Sequence, residues 1–186
     1  MTAQVAPRQE PISSSHPHLY FETDRLLVRQ YTLCDIEPLF QVMSDCRVHT
    51  YTKDKDNPWN MQRTGKYVKF IIDQNFQTLD CFHGAVIEKS TNHLIGLCGL
   101  NPYRPDEPEI EFKIGVSHWG KGYATELAKQ IVRDAFATTN IKGIYGMAQP
   151  DNVASRRVLE KTGMTYIGIQ VFRNHEDAFY YIGHCK

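Results

Sequence analysis

Residues His118 to Thr125 read HWGKGYAT, and an amphipathic run, ELAKQIVRDAFA, follows at once. Gly120 and Gly122 flank Lys121 where a helix is about to begin. The first N–H groups of a helix lack backbone acceptors, and the macrodipole concentrates partial positive charge beside them. Glycines let that backbone close on an anion and a lysine adds a full charge, so the stretch suits a pyrophosphate. A tight turn with close packing is the other reading of the same pattern. The GxxxxGK[ST] spacing is absent, and Gly120-Lys121-Gly122 has no third glycine to complete GxGxxG, which argues against those two nucleotide-binding loops.

Three other residues bear on chemistry. Glu109 and Glu111 stand two apart in EIEFKIGV (109–116), a strand by its alternation, so both face one side. A carboxylate there either attracts an ammonium and takes its proton, or is one of a solvated pair. Asn152 has the type and place of a helix N-cap, and Ser155 falls at the third helical position.

These residues need positioning elements, and the pattern supplies alternating strands and helices. A short strand begins near Arg25. Helices are expected over 35–44, with Pro38 in the first turn, and over 60–76. FHGAVIEK (82–89) and LIGLCGL (94–100) form a hairpin about residues 90–93. NPYRPDEP (101–108) reads as a proline-rich loop. Ala124, Leu127, Ala128, Ile131, Val132, Ala135 and Phe136 form the clearest helical stripe. A strand at 141–148, a helix from Asn152 to Gly163 and two closing strands complete one domain, 19–186, after a flexible tail, 1–18. His16 and His18 in that tail offer at most weak metal chelation.

In these motifs the chain resembles the GNAT acetyltransferase superfamily, in the branch containing the ribosomal-protein N-terminal acetyltransferases. The cofactor loop of that family reads Gln/Arg-x-x-Gly-x-Gly/Ala. Trp119-Gly120-Lys121-Gly122-Tyr123-Ala124 fits its last two fixed positions, with Trp in place of Gln/Arg. Phe21 to Arg29 (FETDRLLVR) looks like the opening strand of the branch. Leu94 to Leu100 (LIGLCGL) looks like its IGxxGL strand, and Asp151 to Met164 (DNVASRRVLEKTGM) like its NxxSxxxxEKxGF helix.

The resemblance implies an α/β fold with a mixed, mostly antiparallel sheet of six to seven strands, about four helices and a splayed central strand pair. It implies an acetyl-CoA-dependent N-acetyltransferase acting on a protein N-terminus or a small amine, without a metal. On this basis Ile114 and Val116 give main-chain contacts to the pantetheine arm, and an N–H near Ile114 serves as oxyanion donor. Trp119, Gly120, Lys121, Gly122, Tyr123, Ala124 and Thr125 form the pyrophosphate loop, with Trp119 packed under it. Asn152 meets the pantetheine. Many relatives carry a Tyr acid where this chain has Leu159, which leaves Ser155 beside the sulfur. Glu109 matches an acidic position of the branch, whereas Glu111 falls where relatives often have glycine. Tyr51, Trp59, Tyr103 and Arg104 are candidates for the acceptor pocket. Dimers are frequent in the family. A CoA-binding module that has lost catalysis is the alternative, and a nucleotide-binding protein would leave the other motifs unexplained.

Composition narrows the field. Of 186 residues, 41% are hydrophobic and 23% charged, as in soluble globular proteins. Lys+Arg and Asp+Glu number 21 each, which argues against a general nucleic-acid binder. No apolar run approaches the roughly 18 residues of a membrane span. Five widely spaced cysteines without a CxxC argue against a disulfide framework or zinc site and point to a reducing, cytoplasmic setting.

Overall fold

The computed structural model describes residues 17–172 and 175–184. In chain order the elements are β1 (Leu19–Glu22), β2 (Leu26–Arg29), α1 (Ile36–Met43), α2 (Met61–Gln74), β3 (Phe82–Glu88), β4 (His93–Arg104), β5 (Glu107–Ile114), α3 (Tyr123–Thr138), β6 (Gly143–Ala148), α4 (Val153–Lys161), β7 (Thr165–Phe172) and β8 (His175–Gly183). Short 3-10 turns occupy Leu33–Asp35, Cys46–His49 and Val116–His118.

The strands form one sheet in the order β1-β2-β3-β4-β5-β6-β8-β7. Neighbours run antiparallel except β5 and β6, which are parallel and pair at a single position, Glu109 opposite Tyr145. Beyond that pair the two strands part, which is the splay at the centre of the sheet. The helices divide between its faces. Leu127 and Ile131 of α3 and Leu159 of α4 join Ile110 and Ile114 in one core. Leu39 and Met43 of α1 and Val68 and Ile71 of α2 pack on Ala85 and Leu97 in the other.

The sheet has eight strands rather than six or seven, because Leu19–Glu22 adds an edge strand with Phe21 buried. The expected loop at 101–108 is mostly strand. Asn101 pairs with Glu109 and Arg104 with Glu107, and the prolines are accommodated by a register shift between Asn101 and Arg104. The turn is confined to Pro105 and Asp106, the latter at φ 59°. Conversely, β5 stops at Ile114, so Val116 lies in the 3-10 turn beyond it. Cys34, Cys46, Cys81 and Cys98 are free thiols. His16, most of the tail and Cys185 lie outside the described residues. Among the described residues no helix is long and apolar enough to cross a membrane.

Candidate active site

A cleft of about 1420 Å³ runs through the splay. Glu109, Glu111, Ile114, Trp119, Gly120, Gly122, Tyr123, Ala124, Thr125, Asn152 and Ser155 all line it, although they come from a strand, a loop and two helices. Val116 and Lys121 are not among its lining residues. Of the acceptor candidates, Tyr51 and Trp59 line the cleft, whereas Tyr103 and Arg104 do not. Tyr103 instead packs edge-on against Tyr145 and Phe172, and Arg104 donates to the Tyr145 hydroxyl at 2.9 Å.

The loop has the conformation that its glycines permit. Gly120 and Gly122 sit at φ 74° and 81°, in the left-handed region that other L-residues enter at a cost. A Cβ on Gly120 would meet nothing within 4 Å, so backbone angle rather than crowding selects glycine there. Gly122 is the N-cap of α3, and no side chain caps that end. The N–H groups of Tyr123, Ala124 and Thr125 therefore form an unshared donor set at the positive pole of a 16-residue helix.

A network reaching back to the start of the chain braces this loop. Arg25 bonds Glu126 through Nε at 2.7 Å and Nη2 at 2.5 Å, and its Nη1 donates to the Lys121 carbonyl at 2.9 Å. Thr23 Oγ1 donates to the same glutamate at 2.5 Å. Burial pushes the Glu126 carboxyl up, but the bonds from Thr23 and Arg25 outweigh it and hold the group below its ordinary range. The Arg25 guanidinium lies 4.4 Å from the Tyr123 ring centroid, and the Tyr123 hydroxyl donates to Glu88 at 2.6 Å. Tyr123 is thus a buried peg whose backbone serves the loop. Trp119 is not packed under the loop: half of it is exposed, at 50%, and its indole N–H donates to the Ile114 carbonyl at 2.6 Å. Nothing local in the sequence marks Thr23, Arg25, Glu88 or Glu126 as part of a site. Arg25 and Glu126 each stand inside a quoted motif, but nothing local ties one motif to the other.

This brace carries a prediction. Arg25→Ala leaves the fold but loosens the loop, raising the calorimetric Kd for CoA about fivefold. That is about 1 kcal/mol, the upper end for a half-exposed ion pair. Turnover at saturating acetyl-CoA changes little, because Arg25 touches the loop and not the reacting centre.

On β5 the backbone polar groups alternate between its two neighbours. The Gly115 N–H donates to Ile95 of β4 at 2.8 Å, so the Ile114 N–H and carbonyl face the splay. Trp119 takes up that carbonyl and leaves the N–H for a ligand. On the opposite wall, Asn152 caps α4 by accepting the Ser155 N–H at 3.1 Å. The cap fixes the helix start, and Ser155 lines the cleft.

The two glutamates share a face, as their spacing requires, but not a chemistry. Glu111 is held by Lys113 Nζ at 2.5 Å and by Asn101 Nδ2 at 3.2 Å. Burial pushes its carboxyl up; the Lys113 ammonium and the Asn101 amide overcome that and bring it down to about 2 from an ordinary 4.5. So weak a base is poorly matched to an ammonium. Because its folded value is depressed, the stabilisation it brings is complete above about pH 4.5 and is lost as pH falls towards 2. Glu111→Gln accordingly lowers the melting temperature at pH 7, and the deficit shrinks between pH 4.5 and 2. A deficit independent of pH would show that packing, not charge, matters there. Glu109 lies in register with Asn101 and Tyr145, where β5 and β6 part.

With this geometry the chain can be placed among known proteins. The family model of the acetyltransferase (GNAT) domain matches residues 25–165. The chain is 28% identical over 159 residues to an uncharacterized N-acetyltransferase, p20, of Bacillus licheniformis, covering 84% of this chain and 86% of that one. An acetyltransferase of the GNAT family from Bacillus anthracis superposes with a TM-score of 0.76 at 25% identity, over 88% of this chain and 97% of that chain. A ribosomal L7/L12 alpha-N-protein acetyltransferase, RimL, in complex with coenzyme A, shares the fold with a TM-score of 0.75 at 15% identity, over 89% and 98%. The protein belongs to the GNAT acetyltransferase family.

Proposed function

We propose that the protein transfers the acetyl group of acetyl-CoA to a primary amine by direct attack within a ternary complex. One observation carries the reading. A single cleft joins a glycine-formed anion cradle to an opened strand pair and then to a glutamate. The cradle suits the pyrophosphate, and the splay gives the pantetheine arm backbone partners on Ile114. Metal chemistry is not required by this reading.

The step balances simply. The acceptor arrives as an ammonium, and Glu109 receives one of its protons, directly or through water. The amine nitrogen forms a bond to the thioester carbonyl carbon, whose oxygen gains charge and takes a hydrogen bond from the Ile114 N–H. The C–S bond then breaks, the hydroxyl of Ser155 stabilises the departing thiolate, and the second proton on the attacking nitrogen passes to the sulfur, directly or through water, so that the products are the neutral amide and CoA. Holding both reactants in one cleft supplies much of the rate. Free, accessible thiols such as Cys34 and Cys46 fit a reducing, cytosolic setting.

A thiol-release screen of acetyl-CoA against amines and peptides, run beside CoA calorimetry, tests this. CoA binding without thiol release for any amine would leave only a binding module. Ser155→Ala lowers turnover about tenfold while the Michaelis constant for acetyl-CoA stays within twofold, because the hydroxyl matters as sulfur gains charge. Turnover within about twofold of wild type would make Ser155 a helix residue and nothing more.

A further inference from the structure

The sheet gives the cleft two unlike ends. The cradle end belongs to the α3 and α4 face. The other is walled by Arg47, Val48 and residues 50–54, by Trp59, and by Arg63, Lys66, Tyr67 and Phe70, which share one face of α2. Its charges are mostly closed into pairs: Arg47 with Asp45 at 2.6 Å, Arg63 with Asp54 at 2.7 Å, and Lys113 with Glu111 at 2.5 Å. Lys53 and Lys66 line the same wall, are exposed, and enter no ion pair among the described residues. Arg157 and Lys161, which also line the cleft, are on α4 and so fall to the cradle end. Tyr51 and Phe70 line the cleft with 41% and 57% of their surface exposed, an apolar wall beside the two ammonium groups.

Asp177 of β8 also lines the cleft, but a polyamine entering this end would meet two like charges on this wall, where the neighbouring carboxylates Asp54 and Glu111 are already held by Arg63 and Lys113. An acceptor with its own anionic group would not. We infer that the acceptor is a zwitterionic amine, a small primary amine that also carries a carboxylate and an apolar body. Lys53 and Lys66 receive the carboxylate, Tyr51 and Phe70 cover the body, and the ammonium is left towards Glu109. This rests on the acyl-transfer reading above and narrows its acceptor class.

The test uses the whole protein and matched acceptors: phenylalanine, its amide, its decarboxylated amine phenethylamine, and spermidine. The amide has the more readily deprotonated amine, so intrinsic reactivity alone would favour it. The expected result is a kcat/KM for phenylalanine at least tenfold above the amide and phenethylamine, with spermidine lowest. Lys53→Glu/Lys66→Glu should erase or invert that order while the CoA Kd stays within twofold. Phosphoserine and a phenylalanine-initiated dipeptide extend the panel. Preference for phosphoserine over phenylalanine, or for the dipeptide over both, would overturn the carboxylate and the small-molecule assignments respectively. The inference also fails if the matched amines react alike, if the double variant keeps the wild-type order, or if it loses CoA affinity, which would place the lysines on the nucleotide. Calorimetry on the CoA complex separates the two readings. Phenylalanine that binds but is not acetylated, and loses binding in the double variant, sustains the acceptor class and sinks catalysis. Acetylation that favours spermidine does the reverse.

Discussion

Glu109→Gln lowers turnover over acceptor KM by about 10²–10⁴, the usual range for general base catalysis. The amide keeps the size and the strand register but has neither charge nor basicity. An α-ammonium has a pKa near 8 and a lysine-like one near 10, so at neutral pH most of the acceptor is protonated. The deficit therefore shrinks as pH rises and more free amine is already present. Glu111→Gln costs much less in turnover, because Lys113 and Asn101 already hold that carboxylate as a spent base. A pH–rate profile of Glu109→Gln that overlays wild type, with Glu111→Gln inactive, would exchange the two roles. Full activity in both variants would move the proton to ordered water or another residue.

Gly122→Glu weakens CoA binding by at least tenfold, or about 1.4 kcal/mol. Two effects add. A residue with a Cβ at φ 81° carries strain of about 1–2 kcal/mol, and the new carboxylate would repel the pyrophosphate proposed for the mouth of α3. Gly122→Asn separates them, since asparagine tolerates the left-handed region and brings no charge. It should retain most of the affinity. Unchanged calorimetric affinity in a folded Gly122→Glu variant would remove the cofactor from this loop.

Much of this site is legible where local rules decide. The apolar stripe of α3, the glycines before it and the Asn152 cap each follow from a few neighbouring residues, and the structure has all three. Glu109 and Glu111 share a face because strand residues two apart must. What separates them is not local: Asn101, on the neighbouring strand, supplies half of the clamp on Glu111, and its register is set by a hairpin that the prolines disguise as a loop. Trp119 misleads for a related reason. Its type suggests a buried support, but its indole N–H donates to the Ile114 carbonyl and half of the residue stays exposed. Arg25 and Glu126 stand 101 positions apart, and no pattern of spacing in a single chain joins two such residues.

That long span bears on how the site comes into being. Contacts between distant segments must overcome loop-closure entropy before they return any stability, so they tend to form late. Helix α3 can nucleate from its own residues, but the braced shape of the loop before it needs β2 seated at its place on β3, where Lys89 N–H meets the Arg25 carbonyl at 2.9 Å. In refolding, the helical signal should precede competence to capture CoA, and the interval between them measures how long the two halves of the chain take to meet.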